Sequence, residues 1–253
     1  MQSTNYRQLD AEKTFETLET LRDRITERFE NSSLSNVAGE LCSLARESKS
    51  RIDWIDKPQL WLRAIVLTIV VLCLVLIGFG VNELVRNRNV AFGLADTIGL
   101  LDSVINEIIV AGAALAFLFS LELRAKRTRA LQSLHDLRAV AHVIDMHQLT
   151  KDPSQILNAN VAPTKSSPKR VLTPYQLTRY LDYCTEMLSM VGKLAALYAQ
   201  SLSDPIVVAA VNDIETLTNG LSRKIWQKIV MLDDIARVMK ESDKSPAAIK
   251  SIE

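Results

Sequence analysis

The sequence is poor in chain breakers. Among 253 residues there are only eight glycines and seven prolines, and they gather at a few junctions. That distribution suits a helical protein with few turns, and neither strand alternation nor a hairpin dipeptide stands out. Cysteine is also scarce. Cys42, Cys73 and Cys184 lie far apart, with no metal-ligand or redox spacing between any two. A secreted disulfide scaffold is thereby excluded, and the three thiols are read as small packing residues. Charge of one sign is lacking too. Thirty basic residues against 29 acidic ones leave a net charge of +1. There is no global basic signal for nucleic acid, and none is expected as a partner. A glycine-rich phosphate loop, a nucleophile elbow and an HExxH helix are all missing. No catalytic activity and no cofactor are therefore expected.

Hydrophobic residues make up an ordinary 48%, but their placement is uneven. The stretch 64–81, AIVLTIVVLCLVLIGFGV, contains no charge. With Leu60, Trp61 and Arg63 it reaches the roughly 20 residues needed to cross the hydrocarbon core. Trp54 and Trp61 suit the interface, and Arg63 can snorkel to the headgroups. The second block is uncharged over 108–121, and extending it to 104–123 takes in Asn106 and Glu107. Two spans, about 61–82 and 104–123, are predicted, forming a hairpin over 58–123. The residues before the first block are polar and acidic (Asp10, Glu12, Glu16, Glu19), so that block is expected to be retained as an anchor rather than to act as a signal peptide.

Lys49, Arg51, Lys57 and Arg63 precede the first span, and Arg124, Lys126, Arg127 and Arg129 follow the second. The connection between them sets Arg86 and Arg88 against Glu83, Asp96, Asp102 and Glu107. The positive-inside rule then places both termini in the cytoplasm and the loop outside, in a plasma membrane or a bacterial inner membrane. The basic residues after the second span can also meet anionic lipid.

Outside the spans the apolar period is helical. Phe15, Leu18, Leu21, Ile25 and Phe29 make one stripe, and Asn31-Ser32-Ser33 interrupts it. Leu34, Val37, Leu41, Leu44 and Ala45 make a second stripe, so 1–57 is read as N-terminal amphipathic helices. Leu131, Leu134, Leu137, Val140, Ala141 and Ile144 continue the second span over 124–149 as one rod. Residues 150–173 are a proline-bearing basic linker. Thr173-Pro174-Tyr175-Gln176 is a helix start with the elements of a capping box. A heptad-like seam follows at Leu177, Leu181, Cys184, Leu188, Val191, Ala195, Tyr198 and Leu202. After the Ser203-Asp204-Pro205 turn, Val207, Val211, Ile214, Leu217, Leu221, Ile225, Leu232 and Ile235 complete an antiparallel hairpin over 174–241. Residues 242–253 are read as a frayed polar tail. The fold class is all-α: a two-span transmembrane hairpin with a cytoplasmic helical bundle and a coiled-coil-like helix hairpin.

Three groups of residues are candidate sites. His135, His142 and His147, with Asp145, bring imidazole and carboxylate into one stretch and are candidate metal ligands. The simpler expectation pairs His142 with Asp145 as a buried contact that docks the rod on its neighbours. Gly112, Ala116 and Ser120 recur every four residues on the second span and allow close helix approach in lipid, with Gly78 and Gly80 as a complement. Asn106 and Glu107 are polar groups at membrane depth and candidates for lining a lumen. Tyr175, Tyr180 and Tyr183 form either a recognition patch or a packing surface. The functional expectation is a membrane-anchored, self-associating interaction or scaffold protein whose partners are the bilayer, further copies of itself and a cytoplasmic protein. The alternatives are an oligomeric channel and, behind it, a metal-dependent enzyme using the histidine stretch.

Overall fold

The computed structural model describes residues 7–57, 60–86, 94–151 and 172–249, together with 153 and 165. The described residues form six helices and no strand: α1 (Ala11–Arg28), α2 (Ser33–Asp56), α3 (Leu60–Arg86), α4 (Leu94–Leu149), α5 (Pro174–Ser201) and α6 (Pro205–Ile249). The loop around Asn87 and most of the 150–173 linker lie outside the described residues. The chain divides into two compact units, residues 1–54 with 129–253, and residues 55–128.

The first unit is a helical bundle, and its helix ends follow from local chemistry. Asp10 caps α1 by accepting from the Lys13 amide at 3.2 Å. The α1–α2 turn passes through Asn31 at φ 54°, a left-handed conformation that asparagine tolerates. Thr173 and Gln176 form the expected reciprocal capping box on α5. Asp204 starts α6 by accepting from the amides of Ile206 and Val207 at 3.0 and 3.3 Å. The predicted stripes face the core: Phe15, Leu18, Leu21, Ile25 and Phe29 are all buried, as are Leu134, Leu137, Val140, Ala141 and Ile144.

Helix α5 lies at the centre of this core. It packs most extensively on α6 and next on α1. Its predicted seam is buried from Leu177 to Tyr198, while Leu202 is half-buried. A second row comprising Tyr180, Tyr183, Met187, Met190, Leu194 and Leu197 is buried as well. The seam is thus filled within the chain, and α5 is enclosed on nearly every side. Helix α6 continues to Ile249, so the stretch expected to fray from about 241 is helical.

The second unit contains α3 and the first part of α4. Helix α4 runs unbroken for 56 residues and ends at Leu149, where the rod was expected to end, but it begins at Leu94, well before the expected start of the span. Among the described residues one helix is long and apolar enough to cross a membrane: α4 from Val104 onward, with a most apolar window of mean hydropathy 2.1 and none of it buried. The apolar part of α3, Ala64–Gly80, is shorter. Leu67, Leu74 and Phe79 on α3, and Ile109, Phe117 and Phe119 on α4, are all at least 62% exposed. Apolar side chains exposed around a helix suit a hydrocarbon surrounding rather than water.

Candidate functional site

In the second unit α3 and α4 border a cleft of about 270 Å³. Ile69, Cys73 and Ile77 line it from one side, and Glu107, Ala111 and Gly112 from the other. Glu107 is half-buried there and is the one carboxylate in the lining. Asn106, the next residue round the helix, is exposed, so the two polar groups do not share the cleft. In the small-residue row, Gly112 and Ala116 are exposed and Ser120 is half-buried. A Cβ placed on Gly112, Gly78 or Gly80 would meet nothing within 4 Å. The close approach these residues permit is therefore not made at those glycines within one chain.

The histidine stretch in the bundle does not converge. On α4, Ser133, Leu134, Leu137, Ala141, Ile144 and Gln148 face inward. His135 and His142 each stand one residue past a buried one, about 100° round the helix, and both are exposed. His147 is half-buried, with its Nδ1 2.9 Å from the Val143 carbonyl oxygen. Asp145 accepts from Gln148 Nε2 at 2.7 Å. Among the described residues no group of three His, Cys, Asp or Glu side chains is placed to hold a metal. The expected buried His142–Asp145 contact is not formed. Its place is taken by a contact that periodicity does not reveal. Lys228 of α6 donates to Gln148 Oε1 at 2.6 Å and to the Gln148 carbonyl at 2.9 Å. Its ammonium thereby sits at the C-terminal, negative end of the α4 dipole.

A second polar node joins α2 to α4. Arg51 donates to Ser133 Oγ at 2.7 Å and pairs with Glu47 and Asp136 at 3.1 and 3.4 Å. Three residues on, the Arg129 guanidinium lies 3.7 Å from the centre of the Trp54 ring. Two residues assigned from sequence to the lipid interface therefore stack on each other. The buried Tyr198 phenol lies beside the Ser133 and Ser48 hydroxyls. Burial pushes it above its ordinary value, against the pull of those hydroxyls and of Arg51.

The tyrosines divide between packing and surface. Tyr180 and Tyr183 are buried and meet the Phe29 ring edge-on, with centroids 5.6 and 6.2 Å away. Tyr175 is 64% exposed and faces Arg28. Burial pushes the Tyr180 phenol far above its ordinary value.

Comparison of the chain with protein-family models, with curated proteins and with solved structures finds no match.

Proposed function

We propose that the protein is a membrane-anchored interaction or scaffold module: a two-span helical hairpin in the bilayer carrying a cytoplasmic helical bundle. The observation that carries this reading is the contrast between the two units. The bundle buries its apolar stripes within the chain, whereas α3 and α4 hold theirs exposed over residues 64–80 and 104–123. Lipid is the surrounding that removes this cost. Both termini then face the cytoplasm, with the 87–93 connection outside. Chains associate through the membrane helices, because the α5 seam is already filled by its own neighbours while the Gly112 face has room for another backbone. The bundle surface is left to meet a cytoplasmic protein.

Gly112→Leu tests the association. Nothing within the chain lies within 4 Å of an added Cβ, and the melting temperature of the variant checks that its fold is kept. Crosslinking in native membranes is expected to show its oligomer reduced relative to the wild type. An oligomer of unchanged size in both Gly112→Leu and Ala116→Leu would mean that this face meets lipid.

One observation favours a second reading, an oligomeric channel. Glu107 is a carboxyl group at membrane depth in an otherwise apolar cleft, and such groups mark ion pathways. Planar-bilayer conductance that falls on Glu107→Gln would select the channel. A silent bilayer leaves the scaffold.

A further inference from the structure

The part of α4 that belongs to the bundle has two opposite faces, and only one of them is filled. Ala130, Leu137 and Ile144, seven residues apart, are fully buried. On the other side of the same helix stand Gln132, His135, Ala139, His142, Met146 and Leu149, all exposed. Met146 and Leu149 are 67% and 61% exposed. The spacing alternates strictly between three and four, which is the pattern of the a and d positions of a coiled-coil seam. None of the six carries a fixed charge. At about 100° per residue the row occupies roughly a third of the helix circumference, opposite the buried face.

The charged residues of 129–149 lie along the two edges of this row, and each is already engaged within the chain. Arg129 stacks on Trp54, Asp136 pairs with Arg51, Arg138 pairs with Asp213 at 3.3 Å, and Asp145 accepts from Gln148. The edges therefore hold no unspent charge to select an oppositely charged partner. A parallel copy of the same helix meets no repulsion over this stretch. Across two parallel strands the edge positions bring Leu131 against Asp136, Arg138 against Val143 and Asp145 against Thr150, so like charges do not meet. The bilayer supplies the parallel arrangement. Helix α4 runs unbroken from its apolar stretch into the bundle, so copies inserted with one topology present this row in the same direction.

We propose that the exposed row on α4 is a homotypic interface, on which a second copy of the chain lays the same row in parallel and in register. The inference rests on the membrane-anchored reading, which orients the copies, and it adds a contact outside the bilayer to the one at the Gly112 face. A two-fold arrangement sets each residue of the row beside its own counterpart. Met146 and Leu149 are thereby withdrawn from water. Each histidine meets the same histidine of the second copy, and two neutral imidazoles share one hydrogen bond as donor and acceptor. Polar residues within a seam fix its register and weaken it, so the contact is specific rather than tight.

The test is disulfide crosslinking of the full chain in proteoliposomes. Cys73→Ala removes the one cysteine that is not buried, and Met146→Cys is then introduced. Mild oxidation should join copies through this position, because like positions of a parallel seam face each other within disulfide reach. Gln227→Cys, exposed on α6, should not crosslink. Adding Ala139→Glu to the Met146→Cys chain sets two carboxylates side by side and should slow crosslinking about tenfold. Ala139→Lys should do the same, and an equal mixture of the two chains should restore the rate. Melting curves check that each variant keeps its fold. Crosslinking through Met146→Cys no faster than through Gln227→Cys, or no recovery in the mixture, would overturn the interface. If Gly112→Leu still lowered the oligomer, that result would leave the membrane reading standing. A chain stripped from the vesicles by alkali would instead sink the anchoring on which the parallel pairing rests.

Discussion

Cys184 shows at the scale of one side chain how burial sets chemistry. It is fully enclosed in the centre of the bundle, and burial pushes its thiol from 9.0 up to about 12. A raised acid holds its proton in the folded state, so its contribution to stability is complete below pH 9. That contribution drains away between pH 9 and about 12, as the unfolded thiol ionises and the folded one does not. At pH 10.5 the loss amounts to about 2 kcal/mol. Denaturant unfolding of the bundle at pH 8 and 10.5 should show that drop in the wild type, with a smaller drop in Cys184→Ala on top of its constant cavity cost. Equal pH dependence in the two proteins would contradict the assignment. Lys228 makes a different residue-scale claim. Its ammonium serves the side-chain and backbone oxygens of the buried Gln148. Lys228→Met should therefore cost about 1–3 kcal/mol by leaving those groups unmet. A loss of no more than a few tenths, measured as a shift in denaturation midpoint, would show that water replaces the lysine without penalty.

At the scale of the helix, much of this fold was legible from residue spacing and some of it was not. The stripes on α1, on the bundle part of α4 and on α6 repeat every three or four residues, because each of those helices buries one face. Periodicity reports such faces directly. Helix α5 is the exception: only one of its two buried rows has heptad spacing, and in the other Tyr180 and Tyr183 read equally as a recognition patch or a packing surface, while its methionines and leucines fall outside the seam. A helix enclosed by its neighbours has no polar face for the eye to subtract. The candidate sites were less legible still. His135 and His142 were identifiable as residues, but a shift of one position separates exposed from buried on a helix, and that shift places them outside. The Lys228–Gln148 contact joins residues 80 apart, beyond the reach of any local pattern. Gly220 offers an element-scale test. It is exposed within α6, and an added Cβ would meet nothing. Gly220→Ala should raise bundle stability by about 1 kcal/mol. An unchanged or lowered melting temperature would indicate that α6 needs a flexible point there.

At the scale of the whole chain, the two units set opposite demands on solvent. The bundle turns its apolar residues inward and its charges outward, with pairs such as Arg46–Glu19 and Arg138–Asp213 on its surface. The other unit turns leucines, isoleucines and phenylalanines outward on both of its helices. One aqueous surrounding does not suit both, and the proposed hairpin resolves the conflict by placing one unit in lipid and the other in the cytoplasm. Topology tests this most directly, because two spans leave both ends of the chain on one side while a single span separates them. Compartment-sensitive reporters fused after Glu253 and inserted at Asn87 are the measurement. The account predicts a cytoplasmic signal at Glu253 and an external one at Asn87, with a tag preceding Met1 also cytoplasmic. Termini reporting from opposite compartments, or all three positions reporting from the cytoplasm, would contradict it.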